Sequence, residues 1–113
     1  MTGAVSNLHP DLVTVLTELE RRLGFSLTIN SGYRDPTHNE DVGGVPGSEH
    51  TDDPSTAADV LCRRSATRFR MLKELFAMNV RRIGIGATFI HVGISTERPQ
   101  DTVWTYYPKD RTV

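Results

Sequence analysis

Leucines recur at positions 12, 16, 19 and 23, three and four residues apart, which is the spacing of one buried stripe on a helix over 11–23. Pro10 suits the first turn of that helix and Gly24 its end, while the other face, from Glu18 to Arg22, is charged and faces solvent. Residues 25–30 then alternate apolar and polar with period two and run into Ser31-Gly32, so they predict a strand feeding a turn, with Tyr33 and Arg34 at its end. Over 35–56 neither period survives: Pro36, Gly43, Gly44, Pro46, Gly47 and Pro54 punctuate a polar stretch. A loop of that length in a small domain is read as shaped and site-forming. A short strand follows at 57–62. A second amphipathic helix follows over 66–78, with Phe69, Leu72, Leu75 and Phe76 as its apolar stripe and Ser65 as its N-cap. Residues 81–94 predict paired strands around Gly84-Ile-Gly86, with Ile90, Val92 and Ile94 on one face and Phe89 and His91 on the other. A last strand is expected at 102–107. The order predicts a single α+β domain over 1–113, a small and mainly antiparallel sheet with two principal helices.

Composition narrows the function classes. The chain has 113 residues, 37% of them hydrophobic, enough for one modest core. Thirteen Lys and Arg against 14 Asp and Glu leave a formal charge of -1, which supplies no broad attraction for nucleic acid or an anionic membrane. The first ten residues lack a basic stretch followed by an apolar one, and no segment is apolar for long enough to insert in a bilayer, so synthesis in the cytoplasm is expected. Cys62 is the sole cysteine, so no intrachain disulfide forms and a bound metal would have to be held by histidine and carboxylate.

Zinc takes imidazole nitrogen and carboxylate oxygen at about 2.0–2.2 Å, and a catalytic zinc keeps three protein ligands and one open position. His50 in the shaped loop, Asp59 in the next strand and His91 in a later strand meet that requirement by residue type. Each also has a plainer reading: a solvated loop histidine, a turn cap and a hydrogen-bonded core histidine. Arg34 equally reads as a salt-bridged surface residue with Asp35, Asp52 or Asp53 as partner. Trp104, Tyr106 and Tyr107 could line a groove, but an aromatic strand at the end of a small domain is more often core; His9 and His38 read as surface residues and Cys62 as a small buried hydrophobe.

Five strings occur in order: Ser31-Gly-Tyr-Arg34, Asn39 with Val42-Gly-Gly-Val-Pro-Gly-Ser-Glu-His50, Ala57-Ala-Asp-Val60, Arg82-Ile-Gly-Ile-Gly86 and Phe89-Ile-His-Val92. Together they resemble the M15-type zinc D,D- and L,D-peptidases, which share their fold with the hedgehog signalling domain and whose short forms are common among phage endolysins. The resemblance implies that His50, Asp59 and His91 are zinc ligands, and that the zinc would polarise a peptide carbonyl and acidify water. It implies that Arg34 faces the metal and holds a substrate carboxylate or an oxyanion, and that Ser48 belongs to the substrate site, more as a shaper of the loop than as a nucleophile. The implied substrate is the stem peptide of peptidoglycan.

Two departures from the family pattern bear on this reading. The usual H-x-x-G-x-A-x-D places the first histidine and the aspartate seven apart, whereas His50 and Asp59 are nine apart with no glycine between them, so Asp52 and Asp53 are rival ligands. The acid that several members carry three before the last histidine, or two after it, is replaced by Thr88 and Gly93. A general base would then have to come from elsewhere, with Glu49, Asp52, Asp53 and Glu97 nearest in sequence. The expected function is a zinc peptidase of phage or phage-derived origin; the alternative is a virion or wall-binding module that keeps fold and zinc without hydrolysis.

Overall fold

The computed structural model describes residues 1–41 and 47–106, with the Glu40 side chain outside the description. Gly43, Gly44, Pro46 and Tyr107 therefore lie outside the described residues. The fold is α+β. Helix α1 spans Pro10–Leu23; Pro10 opens it, His9 Nδ1 accepts the Asp11 N–H, and Gly24 closes it at φ 82°, a left-handed conformation that glycine adopts without a Cβ clash. Leu12, Leu16, Leu19 and Leu23 form its buried face, as their spacing predicts.

Among the described residues six strands form one mixed sheet: β1 (Thr2–Gly3), β2 (Thr28–Ser31), β3 (Ala57–Leu61), β4 (Arg82–Ile85), β5 (Phe89–Gly93) and β6 (Thr102–Thr105). They lie in the order β1-β2-β3-β5-β4-β6. The three central pairings are antiparallel, while β1 on β2 and β6 on β4 run parallel. On one face Ile29, Ala58, Val60, Ile83, Ile90 and Val92 join the α1 leucines and Met71 and Leu75 of α3 (Ser65–Ala77) in the core. Ile90 and Val92 thus fall on the face opposite His91, as alternation demands. Cys62 is buried at the end of β3. Among the described residues no helix is long and apolar enough to cross a membrane.

Three local expectations are corrected. The stretch 35–56 is not structureless: its described residues hold a short helix α2 (Pro36–Asp41) and a 3-10 turn (Glu49–Thr51). These elements are too short to leave an apolar period in the sequence. Ser65 is the first residue of α3, not its cap; Arg64 stands at the cap position and makes no side-chain capping hydrogen bond. The buried stripe of α3 is Met71 and Leu75, four apart, whereas Phe69 and Phe76 are 70% and 56% exposed. Both spacings are helical, so periodicity alone could not choose the face. Met71→Ala is expected to lower unfolding stability by about 2 kcal/mol or more through cavity formation, and Phe69→Ala to change it by less than about 0.5 kcal/mol; denaturant titration of the two variants checks the assignment, and equal costs would contradict it.

Candidate metal centre

Cross-strand pairing sets a single row of residues across the sheet. Ser31 pairs with Asp59, Asp59 with His91, His91 with Gly84 and Gly84 with Trp104. Cross-strand partners project to the same face, so this row lies opposite the core, and the antiparallel register of β3 and β5 fixes two of the three ligand candidates side by side. His50 arrives from outside the sheet on the 3-10 turn. That turn is shaped by Ser48, whose hydroxyl accepts the His50 N–H at 3.2 Å and whose carbonyl accepts the Thr51 N–H and hydroxyl.

The Ser31-Gly-Tyr-Arg34 string owes its place in the site to His50. The Gly32 carbonyl accepts the His50 Nδ1–H at 2.7 Å, and the Arg34 N–H donates to the His50 carbonyl at 2.9 Å. With Nδ1 committed, Nε2 is the nitrogen that faces Asp59, 3.2 Å from its Oδ1. His91 is turned the other way: Nδ1 lies 3.1 Å from the same Asp59 Oδ1, and Nε2 lies 2.7 Å from Glu49 Oε1. Thus His50 Nε2, His91 Nδ1 and Asp59 Oδ1 converge, and among the described residues these three form the one His, Cys and carboxylate group gathered closely enough to share an ion. Tetrahedral donors about 2.0–2.1 Å from a cation stand roughly 3.3 Å apart, close to the spacings observed. All three residues are buried.

The electrostatics point the same way. Burial raises the Asp59 carboxyl, but hydrogen bonds from His50 and His91 outweigh it and hold the group at about 2. For His91, burial disfavours the charged ring, yet the Asp59 and Glu49 carboxylates on its two nitrogens push its pKa up. Carboxylates at both edges of one imidazole are satisfied only by a proton on each nitrogen. A cation between Nδ1 and Asp59 would replace one of those protons, so the donor set and its charge fit a divalent metal.

Arg34 lies beside the cluster rather than on the surface. Its Nη2 stands 3.5 Å from Asp59 Oδ2, while Nε donates to Ser31 Oγ at 2.9 Å and Nη1 to Asn39 Oδ1 at 3.1 Å. Its partner is thus Asp59, not Asp35, Asp52 or Asp53. The rival ligands are engaged elsewhere: Asp52 takes a two-pronged contact from Arg98 and the Thr56 hydroxyl, and Asp53 accepts from Asn7 Nδ2. These contacts anchor the residues between His50 and Asp59, so the longer spacing is absorbed outside the sheet. Glu97 is exposed, and Glu49 sits at the nitrogen of His91 that faces away from Asp59. Of the four acids considered as general base, three are therefore held by other partners and the fourth is in solvent.

Beside His91 opens a cleft of about 410 Å³ whose lining includes Ser48, Arg82, Arg98, Trp104 and Tyr106. Trp104 and Tyr106 are thus groove lining, not core. Their rings stand 5.2 and 6.4 Å from that of His91, and Arg82 lies over the Trp104 ring. A Cβ on Gly84 would come within 2.7 Å of both aromatic side chains, so this glycine is what lets them lie against the sheet. Sequence reasoning missed Arg82 and Arg98 as cleft residues and Glu49 as a partner of His91; Arg82 stood inside a matched string, and Glu49 adjoined a ligand, but neither fact marks a contact.

A family model described as peptidase M15 matches residues 1–93 of the chain. No curated protein and no solved structure matches it.

Proposed function

We propose that this chain, which belongs to the peptidase M15 family, is a zinc metallopeptidase that hydrolyses stem peptides of peptidoglycan as a D,D- or L,D-carboxypeptidase or endopeptidase. The observation that carries the reading is the convergence of His50 Nε2 and His91 Nδ1 on one oxygen of Asp59, 3.2 and 3.1 Å away, in a chain of a peptidase family. These three residues would hold the zinc. When bound, the ion supplies Lewis acidity toward a scissile carbonyl and toward water.

The chain's own groups account for binding and orientation. Arg34 is held by Ser31, Asn39 and Asp59 with its guanidinium beside the cluster; its planar fork suits a substrate carboxylate or a developing oxyanion. The cleft is of the size that takes a small peptide fragment. Trp104 and Tyr106 offer apolar faces to its side chains, and Ser48 acts on the site through the turn that carries His50. We place the protein in a phage or phage-derived setting, by its resemblance to short endolysin domains, made in the cytoplasm and acting at the wall.

The test is digestion of purified peptidoglycan fragments with and without a chelator, followed by zinc restoration, with new amines and released amino acids as readout. Zinc-dependent release is the expected result; its absence from every stem peptide would defeat the peptidase reading. The engagement of Asp52, Asp53 and Glu49 elsewhere favours one second reading, a wall-binding or virion module without hydrolysis. Stoichiometric binding of zinc and fragment with background turnover would be its signature.

A further inference from the structure

Glu49 borders the cleft, yet it is only 2% exposed, lies outside the ligand group and is engaged by other side chains. Its Oε1 accepts His91 Nε2–H at 2.7 Å and Arg82 Nε–H at 3.0 Å, and its Oε2 lies 3.4 Å from the Ser95 backbone N–H. Burial works against its ionised form, but His91 and Arg82 prevail and its pKa is lowered. The space for this carboxylate is made by Gly93. A Cβ built there would stand 2.2 Å from Glu49 Oε1 and 2.6 Å from both Cδ and Oε2. Gly93 is two residues from His91 on β5 and on the same side of the strand. It also pairs with Ala57 on one side and Arg82 on the other, so the carboxylate rests on bare backbone between two strands.

We propose that Glu49, seated over Gly93, is a positioning residue for the metal site: it holds the proton of His91 on Nε2, fixes the ring plane, and so leaves the Nδ1 lone pair directed at the ion. The inference rests on the metal reading above and goes beyond it, since it assigns a role to two residues outside the ligand group. The chemistry is that of a carboxylate behind a histidine ligand. It selects the tautomer, raises the basicity of the ligating nitrogen and limits ring rotation. Arg82 completes the arrangement by balancing the charge of Glu49, so that the buried carboxylate is doubly paired.

The experiment measures zinc affinity by competition with a chromophoric chelator, and the tautomer of His91 in zinc-loaded protein by ¹⁵N NMR. It compares the wild type, Glu49→Ala, Glu49→Gln, Gly93→Ala and the double variant. Glu49→Ala is expected to weaken zinc by about 10–100-fold and to lose the protected Nε2–H signal. Glu49→Gln keeps an acceptor for that proton and should recover most of the affinity. Gly93→Ala leaves Glu49 in the sequence but evicts its carboxylate, so it should reproduce the loss. In the Glu49→Ala background, where the space is free, the same glycine change should cost nothing further. That non-additivity distinguishes the proposal from general disruption of β5. If the wild type binds zinc and Glu49→Ala binds it equally with the same His91 tautomer, the role of Glu49 is overturned while the metal site stands. A wild type that binds no zinc overturns both.

Discussion

Replacing His91 or His50 by alanine is expected to remove the metal, leaving well under one zinc per chain, and to lower peptidase activity by about a thousand-fold or more, the rate equivalent of the several kcal/mol a Lewis acid supplies. The two variants should not be alike in stability. His50 gives up one hydrogen bond, to the Gly32 carbonyl, on the side away from the cluster. Loss of His91 leaves Glu49, 2% exposed, with Arg82 and the distant Ser95 N–H alone. Both changes strip a buried acceptor of a donor, but the bond to the Glu49 carboxylate is the stronger, so metal-free His91→Ala should unfold more easily than metal-free His50→Ala by about 1 kcal/mol. Metal analysis, fragment digestion and thermal unfolding of both proteins give the three readouts. A variant that kept one zinc and wild-type turnover would remove that histidine from the site.

Arg34→Ala is expected to retain zinc and to lower kcat/KM by about 100–1000-fold, the range found when one donor aimed at developing negative charge is lost. The separation of metal content from activity follows from geometry: the guanidinium approaches Asp59 at Oδ2, whereas the histidine nitrogens converge on Oδ1. Arg34→Lys should recover little. Ser31 and Asn39 hold Nε and Nη1 of a planar group, and an ammonium cannot keep both contacts while pointing a third donor at a substrate. Activity within a few-fold of wild type in Arg34→Ala would reduce the residue to a structural ion-pair partner of Asp59.

What was legible in the sequence, and what was not, follows the range of each signal. Helix α1 is written locally, from Pro10 through four leucines to Gly24, and every one of these residues does what its neighbours predict. The alternation of β5 separates Ile90 and Val92 from His91 for the same reason. The three residues of the metal group were found through strings whose order resembles a family, not through spacing, since His50 and His91 are 41 positions apart. Other features had no local trace. Which face of α3 is buried depends on where α1 and the sheet lie, so Phe69 and Phe76 mislead while Met71 is overlooked. The seat of Glu49 over Gly93 joins residues 44 positions apart. A sequence shows there an acid beside a ligand and a missing acid after another, but not that the side chain of one fills the space left by the other.

The bare backbone at Gly84 has an experimental use. Because no Cβ stands there, Trp104, the sole tryptophan of the chain, rests with its ring centre 5.2 Å from that of His91. Indole emission responds to nearby charge and is quenched by a protonated imidazole. Filling the site would put a cation at the Nδ1 of that ring, changing the charge next to the fluorophore. Trp104 emission is therefore expected to report metal occupancy of the site, without a label and without a substrate.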